Sequence, residues 1–322
     1  MSLPDSLKDQ LALPVICSPL FIISTPKLVV EQCKAGLVGS FPALNARPAE
    51  RLGEWLTEIE TELAAYRAEN PDAKVGPYAV NQIAHASNDR LEHDMEVCVK
   101  HKVPIIITSL QASSMVIEAA HSYGGLVFHD VINVRHAKKA LAAGVDGLIL
   151  VTAGAGGHAG TLSPFALLSE VRSFFDGPII LGGSITKGNH ILSAKVMGAD
   201  LAYMGTRFIA TQEANADQAY KNMIVQSSAS DVIYSNLFTG VHGNYLRGSI
   251  ENAGLDSDNL PSSDKSKMSF GSKGSSKSKA WRDIWGAGQG VGGITELTTV
   301  AQTVATLKDE YETALQSITH YN

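Results

Sequence analysis

Eight short apolar runs, each followed by a segment with helical spacing, recur over roughly 210 residues of this 322-residue chain. That rhythm limits the available folds more than any other feature. The runs are Leu13–Cys17, Gly36–Phe41, Val75–Asn81, Pro104–Thr108, Gly125–His129, Asp146–Val151, Pro178–Leu181 and Asp200–Met204. Pro104-Ile105-Ile106-Ile107-Thr108 is an unbroken β-branched run, the composition of a parallel strand buried on both faces. Between runs, apolar residues return at helical intervals, as in Leu52, Trp55, Leu56, Ile59 and Leu63. Pro26 opens one helix and Gly144 closes another. The pattern predicts an α/β fold, a (β/α)8 TIM barrel. A doubly wound open sheet is the alternative. It would not require eight units, and it usually carries its phosphate glycines after strand 1, where this chain has Ser18-Pro19-Leu20.

After Thr211 the rhythm breaks, which divides the chain into three parts. Residues 1–212 form the barrel core, 213–280 an inserted, small helical lid, and 281–322 a Gly-rich loop with a C-terminal helix closing onto the barrel. Within the insert, Ser257–Lys279 is rich in Ser, Lys, Asp and Gly and reads as a mobile loop. Its lysines Lys265, Lys267, Lys273, Lys277 and Lys279 form a solvated surface or a hold for a phosphate-bearing ligand. The net charge of −6 argues against nucleic acid as a partner. No apolar run approaches a membrane span, and no signal peptide is evident, so a cytoplasmic enzyme is expected. Cys17, Cys33 and Cys98 are widely spaced and form neither a disulfide framework nor a zinc site. Without HExxH or a carboxylate cluster, metal catalysis is not expected, and the absence of GxSxG leaves a serine triad unsupported.

The polar and glycine-rich residues sit where the predicted strands end. Gly154-Ala155-Gly156-Gly157-His158-Ala159-Gly160 follows strand 6 and puts one imidazole in a backbone-rich loop. Gly182-Gly183 follows strand 7, and Gly205-Thr206 follows strand 8. Barrels commonly hold a phosphate on the backbone of these two loops; ordinary tight turns are the alternative. A side chain at Gly183 is expected to occupy the phosphate's space. Asn81 ends strand 3, where an amide can fix the edge of a heteroaromatic ring. His129 ends strand 5 and serves either in acid–base chemistry or as a structural residue satisfied by Asp130.

Ala155-Gly156-Gly157-His158 with Gly160, Gly182-Gly183, and Met204-Gly205-Thr206-Arg207-Phe208, in this order, resemble the nitronate monooxygenases, which are FMN-containing TIM barrels formerly called 2-nitropropane dioxygenases. Val134-Arg135-His136-Ala137 and Ala287-Gly288-Gln289-Gly290-Val291-Gly292 support the likeness. The resemblance implies FMN, its phosphate on Gly182, Gly183, Gly205 and Thr206, with Asn81 and Gly156 contacting the flavin; Ser18, His129 and Gly157, at the same strand ends, are added to the expected cofactor set. It implies His158 as the active-site base or nitronate-binding residue, with His129 the second candidate. The reaction implied is oxidation of an alkyl nitronate or nitroalkane by O2 to a carbonyl compound and nitrite; whether the protein forms a homo-oligomer is left open by the sequence. An NAD(P)H-dependent flavin reductase of a quinone or enoyl thioester is the alternative. The chain departs from the family's pattern after strand 1, at Ser18-Pro19-Leu20-Phe21-Ile22, and at His129-Asp130, where relatives often carry Lys or Thr. These departures point to a divergent branch.

Overall fold

The computed structural model describes residues 3–263 and 283–319. Eight parallel strands form its centre: β1 (Val15–Cys17), β2 (Gly39–Pro42), β3 (Tyr78–Ile83), β4 (Ile105–Ser109), β5 (Leu126–Val131), β6 (Gly147–Val151), β8 (Ile179–Gly182) and β9 (Leu201–Met204). The two-residue β7 (Gly157–His158) lies outside them. Pairing runs from β2 round through β9 to β1, and an Ile16–Val38 bridge joins β1 to β2 and closes the ring. Helices α2 (Pro26–Lys34), α3 (Arg51–Glu69), α4 (Leu91–Lys100), α5 (Ser114–His121), α6 (Val134–Ala142), α7 (Pro164–Arg172) and α8 (Gly188–Val196) return the chain between strands. This is the expected TIM barrel, with each strand within a few residues of its predicted bounds.

Strand parity sorts the core into two layers. Ile16, Val38, Ala79, Ile107, Phe128, Ile149, Ile180 and Leu201 point inward and pack as one cluster. Val15, Val80, Ile106, Val127, Leu148, Ile179 and Ala202 point outward into the helix layer. Leu3, Leu7 and Leu11, which precede β1, join the inner cluster and cover the barrel's N-terminal mouth. The short α1 (Asp5–Lys8) lies in that segment.

Beyond the barrel come α9 (Thr206–Ile209), α10 (Gln218–Gln226), a hairpin of β10 (Val232–Ser235) and β11 (Gly243–Leu246), and α11 (Arg247–Asn252). The second strand of the hairpin pairs antiparallel with β7. Helix α10 lies inside the 213–280 segment expected to be helical. The hairpin was not legible, because strands of four residues interleaved with Gly and Asn have no clear period. The lysine-rich stretch 265–279 lies outside the described residues. The final helix, α12 (Val300–Thr319), packs on α8. Leu307 O and Tyr311 N lie where a side chain at Gly188 would go. The Gly188 N–H donates to Glu310 Oε2 at 2.7 Å. Among the described residues, no helix is long and apolar enough to cross a membrane, and no cluster of His, Cys, Asp and Glu could hold a metal.

Candidate active site

A cavity of about 1040 Å³ opens at the C-terminal ends of the barrel strands, the face on which barrel enzymes build their sites. Its floor is the last inward-facing layer of the barrel: Asn81 of β3, Ser109 of β4, Asp130 of β5 and Tyr203 of β9. The first three of these form a directed chain. Asn81 Nδ2 donates to Ile107 O at 3.1 Å and to Ser109 Oγ at 2.8 Å. Ser109 Oγ in turn donates to Asp130 Oδ2 at 2.6 Å. Asp130 Oδ1 is buried without a hydrogen-bond partner, and burial raises this carboxyl's pKa to about 6. Both amide hydrogens of Asn81 are committed, so what it offers a ligand is its carbonyl oxygen.

His129 is not in this floor. Parity turns it outward, between strands and helices, where it is 5% exposed and Nδ1 lies 2.8 Å from Thr108 Oγ1. Burial lowers its pKa to about 4. His129, expected among the cofactor-binding and catalytic residues, does not line this cavity. Its neighbour Asp130 faces the cavity, and His129 is satisfied by Thr108 rather than by Asp130.

One wall is built from the ends of the adjacent strands β8 and β9, where Gly182, Gly183, Ser184, Gly205 and Thr206 line the cavity. Gly183 has φ +138°, and a Cβ there would overlap Thr152 Oγ1 and approach Ala153 O to 2.8 Å. Its missing side chain thus leaves room for the protein's own strand end, which corrects the expectation that a side chain would fill ligand space. Thr206 Oγ1 accepts from the Gly288 N–H at 2.9 Å. Next to it, the loop after β1, the strand paired with β9, lines the cavity with Ser18, Leu20, Phe21, Ile22 and Ile23. Ser18 hydrogen-bonds the Tyr203 hydroxyl. Ile22 is held at φ 69°, its N–H donating to Asn45 Oδ1 at 2.8 Å and its carbonyl accepting from Asn215 Nδ2 at 3.1 Å. Ile22, Leu110 and Ser184 all have positive φ and all line this cavity. Such strain concentrates where surrounding contacts over-determine a site.

The roof is the glycine loop 154–160 laid against the hairpin and the segment after residue 283. A Cβ on Gly156 would come within 2.8 Å of Gly288 N, so the two backbones pack directly on each other. Gln289 N–H donates to Gly154 O at 2.9 Å, and Asn244 Nδ2 donates to Ala155 O at 2.6 Å. Tyr220 of α10 donates to Gly286 O and stacks on Trp285. Gly157 has φ +64°, and a Cβ there would meet nothing within 4 Å. His158 lines the cavity, with Nε2 2.9 Å from Thr239 Oγ1. Burial lowers its pKa to about 4.

The structure thus brings Ser18, Asn81, Gly156, Gly157, His158, Gly182, Gly183, Gly205 and Thr206 to one cavity. Ser109, Tyr203 and Thr239 were not singled out from sequence, and Asp130 only as the partner of His129. For the first two and for Asp130 the strands themselves were legible, but β4, β5 and β9 are buried on both faces, so alternation did not say which of their residues turn inward. Thr239 had no local signal, being 81 residues from His158.

A family model described as nitronate monooxygenase matches residues 8–310. A nitronate monooxygenase from Paraburkholderia phytofirmans is 25% identical over 284 residues, 76% of each chain. A (3aS,4S,5R,7aS)-5-hydroxy-7a-methyl-1-oxo-octahydro-1H-indene-4-carboxyl-CoA dehydrogenase from Rhodococcus jostii is 25% identical over 247 residues, 77% of this chain and 66% of that protein. The chain therefore spans slightly less than two thirds of that relative's length. In fold, the chain is similar to a nitroalkane oxidase from Streptomyces ansochromogenes, with a TM-score of 0.79, 21% identity and coverage of 97% of this chain and 99% of that one.

Proposed function

Because this chain belongs to the nitronate monooxygenase family of flavin-dependent oxidoreductases, we propose that it binds FMN and oxidises alkyl nitronates, using O2, to a carbonyl compound and nitrite. The observation that carries this reading is the convergence of His158 with the glycine ends of β8 and β9 in one cavity. The cavity is at the upper end of the ~300–1,000 Å³ range for single ligands, which suits a cofactor together with a small substrate. The backbone at Gly182, Gly183, Gly205 and Thr206 would hold the phosphate. Asn81 Oδ1 would accept from a ring N–H, and Ser18, Gly156 and Gly157 would border the ring. Bound flavin supplies the electron-accepting ring and the route to O2.

His158 is neutral near pH 7, because burial disfavours its charged form. It therefore serves as a base toward a neutral nitroalkane: the α-carbon's proton moves to an imidazole nitrogen, leaving the nitronate. A preformed nitronate does not need this step. We place the protein in the cytoplasm as a homo-oligomer, to be checked by cell fractionation and light scattering.

Acid precipitation of the purified protein should release FMN, and anaerobic propyl-2-nitronate should bleach the visible band. Recovery of FAD, absence of flavin, or an unbleached spectrum would overturn the proposal. A reductase of a thioester is the second reading, favoured by the name of the Rhodococcus relative. Bleaching by NADH or NADPH, and not by nitronate, would select it.

A further inference from the structure

The strand ends that line the cavity divide into two arcs. After β6, β8 and β9 they contribute Gly154, Gly183 and Gly205. After β2, β3, β4 and β5, which are consecutive neighbours in the barrel, they contribute Leu44, Ile83, Leu110 and Ile132, and the loop after β1 adds Ile22. Three of these apolar side chains stand open to solvent: Ile22 is 40% exposed, Leu110 38% and Ile132 38%. A single exposed apolar residue needs no explanation, but three lining one cavity mark a surface to be covered.

Two of the three are held there in strained backbone. Ile22 has φ 69° and Leu110 φ 73°, a region that bulky side chains avoid and that Asn or Gly enters readily. Leu110 centres a three-residue turn in which the Gln111 N–H donates to Ser109 O at 3.0 Å, the rare γ-turn with positive φ. Ile22 is clamped from both sides. Asn45 Oδ1 accepts its N–H, while Asn45 Nδ2 donates to Leu20 O and Ser24 O, each at 2.9 Å. Asn215 Nδ2 donates to its carbonyl. An exposed side chain gains little from packing, so nothing within the fold favours Ile over Asn at this φ.

We propose that the apolar arc is a subsite for the tail of the substrate, an extended alkyl chain that covers Ile22, Leu110 and Ile132 while the reacting group lies by His158. This deepens the proposed function and rests on the cavity being its substrate site. Covering these side chains removes apolar surface from water on both partners, worth about two- to fourfold in affinity for each methylene added to the chain. Arg47 borders the same arc. Its guanidinium lies 5.5 Å from the Phe21 ring centroid, and its Nε donates to Leu44 O at 2.9 Å. Recognition of a second anionic group by Arg47 is therefore the competing outcome.

The test uses the full-length holoenzyme and unreactive straight-chain carboxylates, whose planar anionic head matches that of a nitronate. Calorimetry with butanoate, hexanoate and octanoate should show affinity rising about two- to fourfold per methylene. Ile22→Asn and Leu110→Asn put a residue that tolerates positive φ in place of the apolar surface, so the fold should be kept. In the double variant the gain per methylene should fall below about 1.5-fold. A flat series in wild type would overturn the proposal, as would a double variant with a series as steep as wild type's. Octanedioate binding as tightly as octanoate would also overturn it, because the cavity would then hold a second anion rather than an apolar end. Should the double variant fail to fold, the wild-type series and the single variants still decide. If the carboxylates bind with this dependence but propyl-2-nitronate leaves the flavin unbleached, the nitronate reading falls and the apolar subsite stands. A flat series with bleaching gives the reverse, so the two failures are distinct.

Discussion

The floor and the roof of the cavity are built in opposite ways. The floor is barrel: Asn81, Ser109, Asp130 and Tyr203 are placed by strand parity, and the contacts among the first three join adjacent parallel strands. The roof is loop: His158 is placed by backbone packing of Gly154–Gly157 on Ala287–Gly288 and by a contact to Thr239 81 residues away. A floor residue's role is thus decided by which side of its strand it occupies. A roof residue's role depends on segments far apart in the chain. The floor holds the acid with a raised pKa, the roof the imidazole with a lowered one, both through burial. Near neutral pH the floor is therefore anionic and the roof uncharged.

The largest expected effect tests the roof. His158→Asn keeps a polar side chain but cannot accept the proton. Turnover of neutral nitroalkane should fall about 10²–10⁴-fold, with flavin content unchanged. The loss on preformed nitronate should stay within about tenfold. Equal large losses on both substrates would reassign His158 to anion binding.

Next comes Gly183, where wall and floor meet. Valine there faces both a φ of +138° and overlap with Thr152. We expect a loss of about 3 kcal/mol or more in unfolding free energy, with flavin content falling alongside. A lower flavin content at unchanged thermal stability would show that the Cβ points to the ligand after all.

A third experiment separates the floor's acid from the two buried imidazoles. Asp130's folded pKa is raised to about 6, so the native state binds its proton more tightly than the unfolded chain. Its stabilising contribution is present below the unfolded value near 4 and is lost as pH rises through about 6. The lowered values of His129 and His158 act in the opposite sense, costing stability as pH falls from about 6.5 to about 4. The difference between wild type and Asp130→Asn cancels those histidines. From pH 4 to pH 7 the variant should gain on wild type by on the order of 2 kcal/mol in urea unfolding. A flat difference would mean that Asp130 is solvated in the native state.

The barrel was legible because its signal is local and repeated: eight apolar runs with helices between them, each recognisable alone. The Gly182-Gly183 and Gly205-Thr206 ends were legible for a related reason, since the barrel's connectivity makes β8 and β9 neighbours. Facing was not legible. In β5, Leu126-Val127-Phe128-His129-Asp130-Val131, both faces are buried, so hydrophobic alternation does not say which of His129 and Asp130 turns inward. The inner cluster of Ile107, Phe128 and Ile149 decides it. The hairpin that completes the roof was illegible for want of length, and Thr239 because nothing local marks its reach to His158.

The smallest effect follows from that facing. His129→Phe retains volume and removes the contact to Thr108 Oγ1 at 2.8 Å. Flavin content and nitronate turnover should stay within about twofold of wild type, because the ring contacts the helix layer rather than a ligand. Stability at pH 7 should fall by about 1 kcal/mol for the lost hydrogen bond. The acid limb should change in a second way. A histidine held neutral, with a folded pKa of about 4, stabilises the protein above its unfolded value near 6.5 and loses that contribution as pH falls to about 4. Phenylalanine has no such dependence, so the variant's stability should decline less than wild type's across that window. Unfolding curves at pH 7 and pH 4.5 measure both effects. A tenfold loss of turnover with normal stability would return His129 to the site and break the division between inward and outward faces.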